Sequence, residues 1–351
     1  FEQHSNNPSE LFELRSYLTA KLLWNPDQDF DALVTEFTDG YYEEAGPFIK
    51  EYIDLIHSKI QEDEDFFLFL YGDPSEAFSS YLNPEFLQNY TELFNDAEKA
   101  VSDKPKIVKR VQVARMGIDF AILEASRKNL TPNYSLTKID KNGSQITNPN
   151  VAALLNNFLE TAKKNNITLM NEMGFTVNEY GNNYKSALET AKRNNKAKGK
   201  TVTSLTKPKK YANENPMVLT DGALGGSSFY ANWLGYEGND LKVVVDLGKT
   251  EDINSISMAF LQVTNHVVFF PGNVQYLGSN DHRTFVPLRT ISNPKPLVKT
   301  SKVNDIHYFS LKLKPQKFRY IKVIAENTET PYWHHAAGLP GWIFADEIII
   351  D

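Results

Sequence analysis

The period of the apolar positions changes once along this chain, and that change divides it. In the first half Leu11, Leu14, Leu18 and Leu22 fall on one stripe at helical spacing, so a buried helix face is implied. Asn7-Pro8-Ser9-Glu10 reads as the start of that helix, with Asn7 as the cap and Pro8 in the first turn, where its missing N–H costs nothing. Asn25-Pro26 breaks it. Asp29 can cap a second helix whose apolar face is Phe30, Leu33, Val34 and Phe37 and which Gly40 is expected to stop. A third begins after Gly46-Pro47, with Ile49, Tyr52, Ile53 and Ile56 toward the core, and further helical patterns cover 84–101, 105–128, 149–165 and 179–195.

Beyond about residue 210 the period becomes two. Lys242–Leu247, Ile253–Phe260, Asn273–Ser279, Tyr308–Leu313, Tyr320–Glu326 and Ile343–Ile350 are short runs rich in Val, Ile, Tyr and Phe, separated by Gly, Pro, Asn and Asp. Short strands without intervening helices predict an antiparallel sandwich or barrel. The stretch between the halves, from Lys192 to Lys210, is basic and polar with no acidic residue; it reads as a helix C-terminus followed by a solvated linker. The expected fold is multidomain α and β: an all-α helical domain over 1–195, a basic linker over 196–210 and an antiparallel β-sandwich over 211–351.

Composition narrows the partners. A net charge of −7 gives no overall attraction for phosphate backbones, so nucleic acid is not an expected partner. No run reaches the roughly 18 apolar residues of a membrane span. Cysteine is absent, which excludes disulfides and thiolate metal sites. The opening at Phe1, without Met or an export signal, reads as an internal or processed piece of a longer chain.

Several segments carry a resemblance. Leu219-Thr220-Asp221-Gly222, Trp233, Val243–Gly248, Ile253–Ile256, Val274–Asp281, Phe318–Val323 and Asp346-Glu347-Ile348 occur in the order of the coagulation factor 5/8 type C, or discoidin-like, family with its galactose-binding jelly roll. WLGYEGND, VVFFP and YWHHAAGLPGWIFADEI are similar to the discoidin-like modules at the C-terminus of bacterial family 20 glycoside hydrolases. The first half resembles a bacterial domain of unknown function found downstream of glycoside-hydrolase-like barrels, through Lys21–Pro26, Phe37–Tyr42, Tyr52–His57 and Asp73–Phe78. That resemblance implies a barrel before Phe1-Glu2-Gln3, and a periplasmic or cell-surface address. The discoidin-like resemblance implies a structural calcium ion, with Asp221 and Glu347 at the positions of carboxylate ligands, although the turn continues as Ala-Leu-Gly-Gly-Ser-Ser and departs from the family's usual Asn/Asp and Thr ligands.

No catalytic residue is read from the sequence. Glu62-Asp63-Glu64-Asp65 is the densest acidic run, but consecutive side chains point in different directions and stay solvated, unlike a glycosidase pair set about 5–10 Å apart. His334-His335 beside Trp333 lacks the spacing of a zinc site; in an extended segment the two rings would face opposite sides, so one histidine is expected to reach a ligand. Sugars stack on aromatic rings and need a few placed polar groups. The candidate binding residues are therefore Trp333, His334, His335, Trp233 and Trp342, with Tyr230 among the aromatics and Glu237, Asn239 and Asp240 as polar partners. The expected function is a carbohydrate-binding and scaffolding region of a bacterial glycan-degrading protein, with a glycan or oligosaccharide as ligand. Two alternatives stay open: a piece of a glycoside hydrolase whose barrel precedes this chain, and a structural or protein-binding sandwich with no sugar site.

Overall fold

The structure is a computed structural model and describes residues 10–69, 72–171, 174–209 and 214–351. It divides into two compact units, one reaching Ser135 and including Asn148–Gly181, the other made of Leu136–Thr147 with Asn182–Asp351.

Among the described residues there are seven α-helices: α1 Phe12–Trp24, α2 Phe30–Tyr42, α3 Gly46–Glu62, α4 Pro84–Ala100, α5 Pro105–Arg127, α6 Pro149–Lys164 and α7 Val177–Ala191. Asn7, Pro8 and Ser9, read as the first helix start, lie outside the described residues. The Asp29 carboxylate caps α2 by accepting from the Ala32 N–H at 3.0 Å, and Asn83 does the same for α4 from Phe86 at 3.0 Å. Helix α2 does not stop at Gly40. It runs on to Tyr42 and ends where Glu43 takes φ 52°, because the Tyr42 ring is needed in the core and is 1% exposed. Tyr52, Tyr90, Phe94, Val111 and Ile118 fill the centre of the first unit. An ion pair is buried there as well: the Glu124 carboxylate accepts from Arg127 Nε at 3.0 Å and from the Tyr180 hydroxyl at 2.9 Å. A cleft of about 1360 Å³, lined largely by apolar side chains including Leu18, Phe66, Phe120 and Phe158, opens in this unit.

The second unit opens with a small hairpin, β1 Thr137–Ile139 with β2 Gln145–Thr147, whose turn is held by Asp140 accepting from the Asn142 and Ser144 N–H groups. Its body is an antiparallel β-sandwich of β3 Thr201–Ser204, β4 Leu234–Glu237, β5 Leu241–Val263, β6 Asn273–Ser279, β7 Val286–Ser292, β8 Asn304–Ala325 and β9 Trp342–Ile350. Strands β5 and β8 are long and pair with each other on both sides of register shifts between Asp246 and Glu251 and between Ile253 and Ser255. The first part of β5 pairs with β3 and the second with β9, while the last part of β8 pairs with β6. The two long strands thus pass from one layer to the other, which is how a sandwich turns a corner within continuous strands. Val243, Val245, Ile321, Val323 and Tyr276 from one layer meet Ile256, Met258, Phe260, Phe309 and Ile348 from the other in one core.

Part of the expected linker belongs to this body. Thr201–Ser204 is paired in register with Val243–Asp246, Ala197 and Val202 join the core, and the Lys196 N–H donates to the Ile350 carbonyl at 2.7 Å. Its lysines disguise the segment, since an edge strand buries few side chains and lysine is a usual edge residue.

Candidate functional site

The layer formed by β4, β9, β5 and β8 is apolar on both faces. Ile256, Met258 and Phe260 face the core, and the alternate residues Ala259, Leu261 and Val263 join Phe344, Val268, Phe229 and Trp233 in a second cluster on the outer face. The segments before β4, after β5 and before β9 close over this cluster and carry the candidate site.

Trp233 is its floor. The indole is fully buried, its Nε1–H donates to the Gly226 carbonyl at 3.0 Å, and Gly225 lies so close that any side chain there would strike the ring. The expectation that Trp233 touches a ligand is therefore corrected: both ring faces are used by the fold. Trp342, half-buried at the start of β9, stacks on Phe344 at 5.4 Å and 16°. Phe344 meets Phe229 at 5.7 Å, and Phe229 meets Tyr230 at 4.6 Å and the His266 ring at 5.2 Å. These contacts make a row of rings whose accessible members are Trp342, Tyr230 and His266.

The segment Pro331–Gly341 is a chain of turns rather than the extended stretch expected, with the His334 N–H donating to the Pro331 carbonyl at 2.9 Å and the Ala337 N–H to the His334 carbonyl at 3.0 Å. Turning brings the two imidazoles together instead of apart. Their centroids lie 4.3 Å from each other, and Trp333 lies 6.1 Å from His334. The two histidines still differ, because His334 is 8% exposed while His335 is open to solvent. His334 has both nitrogens engaged: Nδ1 accepts from the Ala336 N–H at 3.1 Å, and Nε2 faces the Thr264 carbonyl at 2.8 Å. An amide N–H only donates and a carbonyl only accepts, so Nδ1 serves as acceptor and Nε2 as donor in these contacts. It is a tie between the loop and the turn at 264–266, and it is not free to contact a ligand. His266, on that turn, is held below the ordinary imidazole range by partial burial and then by His335 nearby.

The polar candidates lie at the far end of the same loop. Glu237 pairs with Lys209 at 3.5 Å and sits across from Trp342 in the β4–β9 ladder. The Asn239 amide donates to the Lys207 carbonyl at 3.1 Å, and Asp240 accepts from the Asn327 N–H at 3.1 Å. All three brace the β4–β5 turn, which meets the loop where the Gly238 N–H donates to Gly341. No ring or hydrogen-bond contact joins them to Trp333 or His335 among the described residues. Exposed beside Trp333 in the loop are Tyr332, which is 92% exposed, and His335, and the exposed His266 lies near enough to His335 to feel its charge. His266 was passed over in the sequence because nothing in its neighbourhood marks it; the pairing of β5 with the segment after it brings it to Phe229.

Asp221 and Glu347 do come to one turn. Glu347 is 2% exposed and accepts from the Gly222 N–H at 3.0 Å and the Asn195 amide at 3.0 Å, while Asp221 accepts from the Ala223 N–H at 2.8 Å. Burial, with Asp346 and Asp221 adding negative charge, pushes the Glu347 carboxyl up to about 9. A hard cation would suit this donor set by restoring the ionised form, each carboxylate oxygen keeping a lone pair beyond its N–H partner. Among the described residues no group of three or more His, Asp or Glu side chains gathers as a metal cage. An ion here would depend on the two carboxylates and the backbone carbonyls of the turn.

Residues 200–339 match the model of the F5/8 type C domain, and residues 1–54 match that of a domain of unknown function, DUF4838, in agreement with both resemblances. No curated protein matches the chain. Among solved structures it is similar to a chitosan-binding module of a chitosanase/glucanase from Paenibacillus sp. IK-5, at 14% identity over 45% of this chain and 99% of that one, with a TM-score of 0.30. It is also similar to a fucose binding module of Streptococcus pneumoniae, at 16% identity over 45% of this chain and 95% of that one, TM-score 0.30. A Clostridium perfringens module, CpGH89CBM32-6, gives 15% identity, 45% and 98% coverage and a TM-score of 0.28.

Proposed function

We propose that the sandwich binds carbohydrate through the outer face built by Trp333, His335, His266 and Tyr230, and that the chain serves as the binding and scaffolding region of a glycan-degrading protein. The observation that carries this reading is the turn Pro331–Gly341, which leaves His335 and Tyr332 exposed and Trp333 half-buried on a base tied to the sheet by His334 and by the Phe269 and Trp342 backbone pair at 2.9 Å. Rings held on a rigid base lose little entropy when a sugar's C–H face stacks on them, and exposed imidazole and amide groups meet its hydroxyls. The match of 200–339 to the F5/8 type C domain supports a carbohydrate-binding module in this part of the chain. Asp221 and Glu347 are proposed as carboxylate ligands of a calcium ion that braces the turn at 221–223.

The test is a titration of the intact chain with chitosan oligomers and with fucose, followed by a glycan array. Saturable binding that His335→Ala weakens, with the melting temperature unchanged, supports the reading. Binding that is indifferent to His335, Trp333 and His266 would place any sugar elsewhere.

A further inference from the structure

We propose that the cleft of the first unit is a binding site for an organic cation with an apolar body, an alkyl or aryl amine, whose ammonium group is received by the Glu10 carboxylate. All the described residues that line the cleft belong to that unit, so the site is independent of sugar binding by the sandwich.

The walls are apolar and partly uncovered. A volume of about 1360 Å³ exceeds the roughly 300–1,000 Å³ of ordinary small-molecule pockets, so a hydrocarbon chain or ring system has room. Met116 and Phe120 of α5 line it with Phe66 and Leu169, all four half-buried, and Phe67 and Leu68 line it while 81% and 59% exposed. Contiguous uncovered apolar surface of this kind marks a place where an apolar group binds. One carboxylate is set among these side chains at a fixed point. Glu10 accepts a hydrogen bond from the hydroxyl of Tyr52, a core residue 1% exposed, and its carboxyl carbon lies where a Cβ added to Gly117 would come within 2.7 Å. The other carboxylate oxygen has no hydrogen-bond partner among the described residues. Desolvation raises the Glu10 pKa, with the Tyr52 bond and the charges of Arg15 and His57 acting against it, and a bound cation would favour the ionised form further.

The charge of the ligand follows from the lining. Glu13, Asp31, Asp54, Asp73 and Glu76 line the cleft with Glu10, and Arg15 is the one lysine or arginine among the described lining residues. Asp54 pairs with Lys50 at 2.6 Å, and Asp73 and Glu76 hold backbone N–H groups of one turn, which leaves Glu10 as the acceptor for a ligand lodged between the apolar walls. A fatty acid would suit the hydrocarbon lining equally well, but it would bring its own carboxylate to a surface with six carboxylates against one guanidinium. An ammonium group meets attraction there instead, and its N–H donors match an acceptor that only accepts.

Calorimetric titration of the intact chain at pH 7.5 with n-octylamine, octanoate and octanol separates charge from hydrocarbon, since the three share one chain. The amine should bind saturably and about tenfold or more tighter than either of the others, the scale of one charge-assisted hydrogen bond. Glu10→Gln keeps an acceptor for Tyr52 but removes the charge, and should weaken the amine by about tenfold while leaving octanol unchanged. Gly117→Ala displaces the same carboxylate without altering it: the new methyl meets the tip of a flexible side chain and not the backbone, in a helix where alanine is favoured, so the melting temperature should hold while amine affinity falls. Octanoate or octanol that binds as tightly as the amine, folded wild-type protein that binds no amine, or amine affinity unchanged in either variant overturns the site. His335→Ala, in the other unit, should bind the amine as the wild type does, so a failure of the sandwich to bind glycan leaves this site standing and a failure here leaves the glycan reading standing.

Discussion

At the scale of single residues, burial decides which candidates act directly. Trp233 and Trp333 are equivalent as sequence, each a tryptophan near glycines, yet one is sealed under Gly225 and the other stands in a turn. Trp233→Ala should therefore cost about 3–5 kcal/mol of stability, the range for emptying a large core side chain, which chemical denaturation of the intact chain would read. A change below about 1 kcal/mol would mean that the outer cluster does not contribute to the fold. Glu347 shows how an acid becomes a pH-dependent element. Its folded value, about 9, lies above the ordinary carboxylate range, so the folded state holds its proton more tightly than the unfolded chain does. Without metal, that contribution is complete at low pH and is lost as pH rises toward 9. Melting of the metal-free protein should fall by several degrees between pH 6 and 9, and Glu347→Gln should flatten the decline. A wild-type curve that rises over this interval would contradict the assignment. In sequence the paired histidines differ only if the backbone is taken as extended, and the turn reverses that geometry: His334 is the tie and His335 the exposed ring.

At the scale of elements, the helices were legible nearly to their ends because caps and prolines mark them, as Asn83-Pro84 and Asn148-Pro149 do. Strand β6 was read at its observed bounds, Asn273–Ser279, since both its ends are polar breaks. Strands β5 and β8 each looked like two short runs. Alternation reports burial, and burial lapses over the polar corner at Lys249–Asp252 although the strand continues past the register shift there. Strands β3 and β7 were missed for a related reason. Each is an edge, and β7 in particular buries almost nothing along its length. The loop before β9 is pinned at its far end by Gly341, where a Cβ would strike the Thr328 carbonyl, an atom of the backbone that cannot swing aside. Gly341→Ala should destabilise the sandwich by about 1–3 kcal/mol through overpacking and raise loop amide exchange, whereas Gly272→Ala, which meets nothing within 4 Å, should leave both unchanged. Equal behaviour of the two variants would remove Gly341 as a pin.

At the scale of the whole molecule, the chain carries a helical unit with its own core and a sandwich unit with two apolar clusters, and no helix among the described residues is long and apolar enough to cross a membrane. The broad order, helices then sandwich, could be read from the change of period alone, while the division between the units could not, because the hairpin Leu136–Thr147 returns to the second unit and breaks the sequence order. Calcium is a test at this scale, since an ion bound only by the folded sandwich adds to its stability, by about 2.7 kcal/mol at 100 times its dissociation constant. Chelation should lower the melting temperature, Asp221→Ala should abolish that response, and calcium affinity should rise with pH up to about 9 as the proton on Glu347 ceases to compete. An unchanged melting curve on chelation would count against the ion.

The central claim, that the outer face around the Pro331–Gly341 turn binds carbohydrate, is tested most directly by one measurement: a glycan binding curve for the intact wild-type chain beside Trp333→Ala and His335→Ala, taken at pH 7.5. The account predicts saturable wild-type binding, a loss of about 1–3 kcal/mol of affinity in Trp333→Ala, the scale of removing one large aromatic contact, and a smaller loss in His335→Ala with its fold intact. Folded wild-type protein that binds no glycan, or two variants that bind as the wild type does, would contradict it.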